Sequence, residues 1–402
     1  MVDRMIACVP SLSGRILDLC AGDGAFVRGL LKVGVDPANI TTVEIDPQFK
    51  NVLESYGVEV LIGDYKAVLA DKSGQYDVVF SNPPYQIMDG GFKASAKPIY
   101  HEIVMYTIDI LKPQYVCMIT PSRWMAGGKG LDDYRARMLK DRHIRLIQDF
   151  PGAQEVFETV FLAGGVSFFL WDCDYNGLCE FNGIQRDIGE FNVLIRNNIA
   201  HQILKKVLTK HDGSFCNWRV LPRKQFGIST DFCDWKEPDS GTVKCLTKGR
   251  KEKYVSFGQF TDEHGVQSRW KVCTPKGYKP ASEFDDNNPL YVLNSFVVEP
   301  GTISTETYIV IGSFNTQKEA EAYLAYANTK FYRFMVSLRK ISQDVNREKF
   351  SWVPDLNDYS KEWTDEELYA HFELTKKEIE HIEKTIKEAY ETYIPTNPDY
   401  RL

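Results

Sequence analysis

Ser81-Asn82-Pro83-Pro84-Tyr85-Gln86 follows directly on the apolar run Tyr76 to Phe80, which sets a carboxamide, two prolines and a phenol ring at the end of an expected strand. The Asn82 side-chain oxygen and the Pro83 carbonyl are two hydrogen-bond acceptors, and paired prolines fix their direction by locking φ and removing backbone donors. Such a pair suits the two hydrogens of an exocyclic amine conjugated with a ring. Accepting both draws the nitrogen toward a tetrahedral, nucleophilic geometry, and no strong base is needed because the alkylated nitrogen readily loses its proton afterwards. Tyr85 adds a face on which a planar base can stack once it has left its helix. A Pro-Pro turn capped by asparagine is the bland alternative, and the residues upstream argue against it.

Those residues are Asp18-Leu19-Cys20-Ala21-Gly22-Asp23-Gly24-Ala25-Phe26. Ile16 to Cys20 is an expected strand, Gly22 and Gly24 let the backbone approach a ligand, and Val27 to Lys32 has helical spacing that would present free amides there. A glycine turn after a first strand is weak evidence by itself. Glu44, at the end of a second strand from Ile40 to Asp46, has the placement of a carboxylate that holds two ribose hydroxyls. Asp64 ends a third strand from Val58, where it can accept from an adenine amino group, and Ile45 can cover the ring. The third glycine of a dinucleotide fingerprint is missing, since position 27 is valine, and S-adenosylmethionine, which has no pyrophosphate, does not need it. The expected cofactor set is Asp18, Cys20, Ala21, Gly22, Gly24, Phe26, Glu44, Ile45, Asp64 and Asn82.

Short strands alternating with helices must hold these residues at one edge. Beyond Tyr76–Phe80 come a helix from Ile99 to Leu111, a strand from Tyr115 to Thr120, a helix from Leu131 to Leu139, and strands from Ile144 to Phe150 and Val160 to Trp171, where the sheet is expected to end. This predicts a doubly wound, Rossmann-like α/β domain over residues 1–185. From about Asp187 the rhythm breaks, and residues 186–402 read as a second, α+β domain ending in helices. Thr316 to about Ser342 reads as one long helix, and two capping boxes, Thr364 with Glu367 and Thr375 with Glu378, open two more.

The order of these motifs resembles the S-adenosylmethionine-dependent DNA adenine-N6 methyltransferases of the gamma, TaqI-like arrangement, the modification enzymes of restriction-modification systems. The resemblance carries cofactor roles to Asp18, Gly22, Gly24, Glu44, Ile45 and Asp64, and catalytic roles to Asn82, Pro83 and Tyr85. It implies that a phenylalanine of Glu155 to Leu170 packs on the other face of a flipped adenine; Phe157 matches, with Phe161 a rival and a plain core aromatic the alternative for either. It also implies a target recognition domain after the catalytic one. Members carry a longer segment ahead of a helix like Val2 to Ile6, so part of the pocket over the methionine end is expected to be absent or otherwise supplied.

The formal charge of −7 and pI near 5.6 exclude a protein that coats nucleic acid indiscriminately. A duplex must therefore meet a local surface. Lys244 to Lys279 holds nine Lys/Arg against three Asp/Glu with five aromatic residues interleaved, and Lys248, Arg250, Lys251, Lys253 and Arg269 are the candidates for phosphate contacts. Arg333, Arg339, Lys340 and Arg347 are a second set from the long helix. Nine scattered cysteines without a CxxC pair argue for reduced thiols and no metal site. No signal or membrane-length apolar run is evident, which places the chain in the cytoplasm of a bacterial or phage-infected cell. Double-stranded DNA is the expected partner of a monomer or weak dimer, and a separate restriction endonuclease is compatible with the sequence. Asn-Pro-Pro-Tyr also occurs in enzymes that methylate guanine N2 in RNA or a protein glutamine. A catalytically silent DNA-binding subunit is a further alternative.

Overall fold

The computed structural model describes residues 1–88, 96–126, 128, 130–157, 162, 164–277, 290, 292–339 and 344–389. The chain divides into two units, Met1–Arg196 and Asn197–Leu402.

In the first unit, parallel strands alternate with helices because each short β-branched or apolar run ends in a turn residue. After helix α1 (Val2–Cys8) come β1 (Ile16–Leu19), α2 (Ala25–Lys32), β2 (Ile40–Glu44), α3 (Lys50–Glu54), β3 (Glu59–Ile62), α4 (Tyr65–Val68) and β4 (Val78–Ser81). A short hairpin, β5 (Gln86–Met88) with β6 (Ala96–Pro98), leads into α5 (Tyr100–Tyr106), which runs on into a wider turn over Thr107–Leu111. Then follow β7 (Tyr115–Pro121), α6 (Asp132–Lys140), β8 (Ile144–Phe150), β9 (Val166–Asp172), β10 (Cys179–Phe181) and β11 (Ile184–Arg186). They form one sheet in the order β11-β10-β8-β9-β7-β4-β1-β2-β3. β3, β2, β1, β4 and β7 are mutually parallel, and β9 lies antiparallel between β7 and β8.

Both faces of this sheet are covered, which makes it doubly wound. On one face Met5, Ile6, Val27, Leu30 and Leu53 from α1, α2 and α3 pack against Ile16, Val78 and Phe80. On the other, Tyr100, Ile103, Tyr134 and Met138 from α5 and α6 pack against Leu17, Leu19 and Val79. The alternation of Ile16 with Leu17 between two cores is the period-2 pattern of a strand buried on both sides. The sheet does not stop at Trp171: β10 and β11 extend it beyond β8, as short strands that periodicity alone does not reveal. The run expected from Val160 is a strand only from Val166, and residues 158–161 lie outside the described residues.

The second unit begins with α7 (Asn198–Lys210), capped by the Asn197 side chain. It contains β12 (Thr242–Thr247), β13 (Lys251–Ser256), β14 (Trp270–Pro275), β15 (Phe296–Val298), β16 (Thr302–Ser304) and β17 (Tyr308–Phe314), in two three-stranded sheets ordered β13-β12-β16 and β15-β14-β17. Val243, Cys245, Val255, Cys273, Ile303 and Val310 from both sheets share one core. The expected single helix is two, α8 (Gln317–Asn328) and α9 (Lys330–Ser337), because Thr329 takes an extended conformation (φ −60°, ψ 150°) and caps α9 with its hydroxyl. α10 (Asp365–His371) and α11 (Lys376–Thr385) start at the two expected capping boxes.

Gly165, just before β9, has φ +71°, and a Cβ there would stand 2.1 Å from the Phe150 carbonyl oxygen and 2.5 Å from that of Pro151. Backbone cannot yield as a flexible side chain does. We expect Gly165→Ala to destabilise the first unit by about 2–4 kcal/mol, combining the left-handed φ with overpacking. Gly74→Ala, where φ is +68° and nothing lies within 4 Å, serves as the control, at about 1 kcal/mol. Chemical denaturation of both variants checks this, and equal losses would refute the steric argument.

Candidate functional site

Four neighbouring parallel strands, β3, β2, β1 and β4, deliver the expected residues to one edge of the sheet. Asp64 follows β3, Glu44 ends β2, Cys20 to Gly24 follow β1, and Asn82 to Tyr85 follow β4. Carboxyl ends of parallel strands in a doubly wound sheet are where such folds bind ligands.

The turn after β1 is held open by backbone geometry. Cys20 (φ 66°), Gly22 (φ 53°) and Gly24 (φ 84°) all take left-handed conformations. The Ala21 N–H donates to the Val43 carbonyl at 3.0 Å, locking the turn to β2. A Cβ on Gly22 would meet nothing within 4 Å, so this glycine borders open space, whereas one on Gly24 would come 2.9 Å from the Tyr56 ring and 3.1 Å from Leu53. Gly24 thus serves helix packing as well as the turn. Phe26 is a buried core residue, stacked on Phe80 with centroids 5.2 Å apart, and Ala21 is also buried. Burial, with Glu44 and Asp18 nearby, pushes the Cys20 thiol up to about 12, which leaves it unreactive.

Glu44 organises the crossing between β1 and β2. Its Oε2 accepts from the Gly22 N–H at 2.8 Å, and its Oε1 accepts from the N–H groups of Ile45 at 2.8 Å and Asp46 at 2.9 Å. Each carboxylate oxygen has two lone pairs, so capacity remains for a ligand hydroxyl. Ile45 beside it is 68% exposed, an apolar side chain at the rim. Asp64 caps α4 through Oδ1, which accepts from the Lys66 N–H at 2.9 Å.

Asp18 stands out electrostatically. It lies on the face of β1 shared with Ile16, is 1% exposed, and its carboxylate oxygens make no well-aligned hydrogen bond among the described residues, the Val27 backbone N–H offering only a weak approach. Burial first, then the nearby charges of Glu44 and Asp23, push its pKa up to about 8. A buried acid without well-aligned donors is costly, and a cationic or hydrogen-bonding ligand is what would satisfy it. The α-ammonium and sulfonium of S-adenosylmethionine are such cations, so the residues present fit that cofactor.

At the end of β4, the buried Ser81 hydroxyl donates to the Leu19 carbonyl and ties β4 to β1. Asn82 then emerges exposed, and its carboxamide makes no hydrogen bond among the described residues. Pro83 is buried, and its carbonyl accepts no backbone N–H among them. Tyr85 is half-buried against the α1–α2 side of the core, as is Phe157, so both rings belong to one cluster. The Tyr85 hydroxyl is buried without a partner among the described residues and burial pushes its pKa upward, which suits a stacking surface rather than a proton donor to solvent. Phe161 lies outside the described residues.

Sequence reasoning missed a clamp on the loop that carries Phe157. Asp149, buried near the end of β8, accepts from the Ser122 hydroxyl at 2.7 Å and from Arg196 through Nε and Nη2, both at 2.8 Å. Arg196 also donates to the Gly164 carbonyl at 2.8 Å, and the Ser122 N–H to that of Gly165 at 3.1 Å. An acid next to Phe150 at the end of the strand Ile144 to Phe150 was the available signal, because a carboxylate buried there implies a cation.

The basic segment of the second unit is partly internal. Lys248, Lys251, Lys253 and Arg269 are exposed, with no ion pair among the described residues. Arg250, a candidate for a phosphate contact, is half-buried, its guanidinium 4.0 Å from the Phe296 ring centroid. Lys244 pairs with Glu252 and Glu299. Lys271 is fully buried and donates to the carbonyls of Val266, Gln267, Arg269 and Glu299. Arg333 and Arg339 are buried too: Arg333 binds carbonyls of Asn328, Thr329 and Lys387, and Arg339 stacks on Trp352 and pairs with Glu348. They are structural. Arg347 is exposed but sits on a turn after α9, and Tyr278, Lys279 and Lys340 lie outside the described residues.

Among the described residues no helix is long and apolar enough to cross a membrane, and no three His, Cys, Asp or Glu side chains group as a metal site. Comparison with known proteins bears on the same edge of the sheet. Residues 38–157, which run from β2 through Asn82–Tyr85 to Phe157, match the family model of the Eco57I restriction-modification methylase. An uncharacterized adenine-specific methylase of Mycoplasma pneumoniae is 32% identical over 111 residues, which are 27% of this chain and 26% of that protein. The matched segment thus spans about a quarter of that relative's length. Among solved structures, the type I restriction-modification methyltransferase subunit of Streptococcus thermophilus is 14% identical, with 53% of this chain and 52% of that one covered at a TM-score of 0.35. A modification subunit of a putative type I restriction enzyme from Vibrio vulnificus is 14% identical over 44% of each chain, at 0.33. At those levels the two structures add nothing to what the topology shows. The segment bearing the Asn-Pro-Pro-Tyr motif is therefore similar in sequence to the Eco57I restriction-modification methylase family.

Proposed function

We propose that this protein is an S-adenosylmethionine-dependent DNA adenine-N6 methyltransferase, the first unit (Met1–Arg196) forming its catalytic domain and the second (Asn197–Leu402) its target recognition domain, a boundary beyond the one expected after residue 185 because β11 and Arg196 belong to the first unit. The observation that carries this reading is the exposed carboxamide of Asn82, unbonded among the described residues, one strand away from the buried carboxylate of Asp18, which has no well-aligned donor among them. The first is an acceptor for an amine. The second is a counter-charge for a cation.

Bound S-adenosylmethionine supplies an electrophilic methyl carbon. Asp18 would hold its positive end, Glu44 the ribose hydroxyls, Asp64 the adenine amino group through the oxygen not used for capping, and Ile45 the ring. Asn82 Oδ1 and the Pro83 carbonyl would accept the two hydrogens of the substrate amine and free its lone pair for in-line attack. The proton then leaves to water, since the alkylated nitrogen is acidic enough to need no strong base. Tyr85, with Phe157 opposite, would hold the extruded base. Lys248, Lys251, Lys253 and Arg269 would meet DNA phosphates, consistent with their exposure on and around the β12–β13 hairpin and before β14. A cytoplasmic location and a separate endonuclease partner fit this role.

Asn82→Ala removes one of two acceptors that act in the transition state. We expect methyl transfer from tritiated S-adenosylmethionine to adenine in duplex DNA to fall by roughly 10²–10³-fold, with cofactor affinity within a factor of two or so of wild type. Label appearing only in RNA or in protein glutamine would reject the DNA reading.

Asp18 gives a pH signature. With its folded pKa near 8, the cofactor-free protein carries a protonated carboxyl at neutral pH, whereas a cationic ligand favours the carboxylate. Cofactor affinity should therefore rise with pH up to about 8 and level off above it. For stability the sign is the reverse of an ordinary salt-bridged acid: between the unfolded pKa and 8 the folded state binds the extra proton, so apo stability falls as pH rises through that window. Asp18→Asn should abolish both dependences, as titration calorimetry and melting at several pH values would show.

A further inference from the structure

Trp218 is a large apolar residue in the second unit that the proposed function leaves unused. Its ring is 51% exposed, yet it is firmly held. The indole N–H donates to Asp355 Oδ2 at 2.7 Å, and Asp355, 1% exposed, also accepts from Arg219 Nε at 2.7 Å and from the Tyr359 hydroxyl at 2.6 Å. The Arg219 guanidinium lies 4.4 Å from the Trp218 ring centroid and 5.0 Å from that of Tyr359. The backbone beneath is fixed as well: Cys216 is fully buried, and its N–H donates to the Val353 carbonyl at 2.8 Å.

A tryptophan needed only to satisfy Asp355 would gain by burying its ring, because exposed aromatic area forfeits hydrophobic stabilisation. Here the polar end is anchored inside, a cation is stacked against the ring, and half of the indole surface remains in water. Arg347 is anchored to the same turn, its Nε donating to the carbonyl of Asn217, the residue preceding Trp218, at 2.9 Å. That bond fixes the guanidinium but leaves its two terminal nitrogens without a partner among the described residues, and the side chain is exposed. A rigid aromatic face with a fixed, unneutralised guanidinium anchored to the same turn is the chemistry of a nucleotide site: the base stacks on the indole and its phosphate meets the arginine.

We propose that Trp218 and Arg347 form a subsite for one unpaired nucleotide of the DNA substrate, stacked on the indole with its phosphate on the guanidinium. This rests on the DNA reading above. It adds a contact that reads an unstacked base rather than a duplex backbone, apart from the basic hairpin and from Asn82–Tyr85. Asp355 also accepts from Arg219 and Tyr359, so removing the indole takes away one of its three side-chain donors and leaves two.

The test is fluorescence anisotropy of the full chain with two labelled duplexes, one fully paired and one carrying a single unpaired nucleotide. Wild type should prefer the second. Trp218→Ala should reduce that preference by roughly 5–100-fold, the range of a lost base–aromatic stack, and Trp218→Phe should keep most of it. Arg347→Ala should weaken binding and lower the slope of log affinity against log salt by about 0.7–0.9, one phosphate contact. Equal affinity of wild type for the two duplexes, or a preference unchanged in Trp218→Ala, overturns the subsite and leaves the methyltransferase reading standing. Failure of wild type to bind either duplex overturns both. Should Trp218→Ala not fold by near-ultraviolet circular dichroism, Trp218→Phe and Arg347→Ala decide: a salt slope unchanged in the latter rejects the proposal.

Discussion

The site depends on β1 being stapled at its carboxyl end to both of its neighbours. Toward β4 the staple is the Ser81 hydroxyl on the Leu19 carbonyl, and toward β2 it is the Glu44 carboxylate on the Gly22 N–H together with the Ala21 N–H on the Val43 carbonyl. Parallel register aligns the ends of the strands, but alone it leaves the loops beyond them free to wander. These few bonds fix where the left-handed turn over Cys20 to Gly24 sits against Asn82. They also explain why Glu44 is buried without being isolated. Three backbone N–H groups stabilise its charge, and that charge in turn helps to keep Asp18 protonated.

The two carboxylates of this cleft therefore play unequal parts. Glu44 is satisfied by its own chain and its geometry is fixed in advance, so a ligand meets a rigid acceptor and little ordering is required of the protein. Asp18 has no well-aligned donor, and its environment carries a cost that a suitable ligand relieves. A preorganised acceptor beside a group awaiting a partner is a common division of labour in binding sites, because strain tolerated at such sites is offset by packing elsewhere. The clamp of Arg196, Asp149 and Ser122 provides comparable rigidity for the opposite wall, holding the root of the loop that brings Phe157 into the cluster with Tyr85.

The strand ends were legible in the sequence because each signal is local. Short apolar runs ending in polar or turn residues mark β1 to β4, and Asn-Pro-Pro-Tyr needs only its own neighbours to be recognised. What escaped was non-local. The clamp joins residues from three distant parts of the chain, β10 and β11 are each three residues long with no clear alternation, and the break between α8 and α9 lies at a single threonine whose hydroxyl caps the second helix. Charge counting misled in the second unit for the same reason. Lys271 and Arg333 carry the residue types of a phosphate surface, but their donors satisfy backbone carbonyls inside the fold. Net local charge says nothing about which cations face water. Arg347 and Trp218, far apart in sequence, stand out only once their anchors on Asn217 and Asp355 are seen.

The antiparallel insertion of β9 between β7 and β8 has a consequence for synthesis. Residues up to 165 can lay down β1 to β4 and pair β7 on β4, but β7 then presents an unprotected hydrogen-bonding border, and β8 has nothing to join until Val166–Asp172 emerges. An incomplete parallel sheet of this kind is prone to mispairing. Closure comes only when the late strand slides into the gap and Gly165 folds beneath the carbonyls of Phe150 and Pro151. The nascent chain thus completes the middle of its sheet only after the late strand has emerged, and a ribosome that stalls before Asp172 would leave behind a sticky seam between β7 and β8.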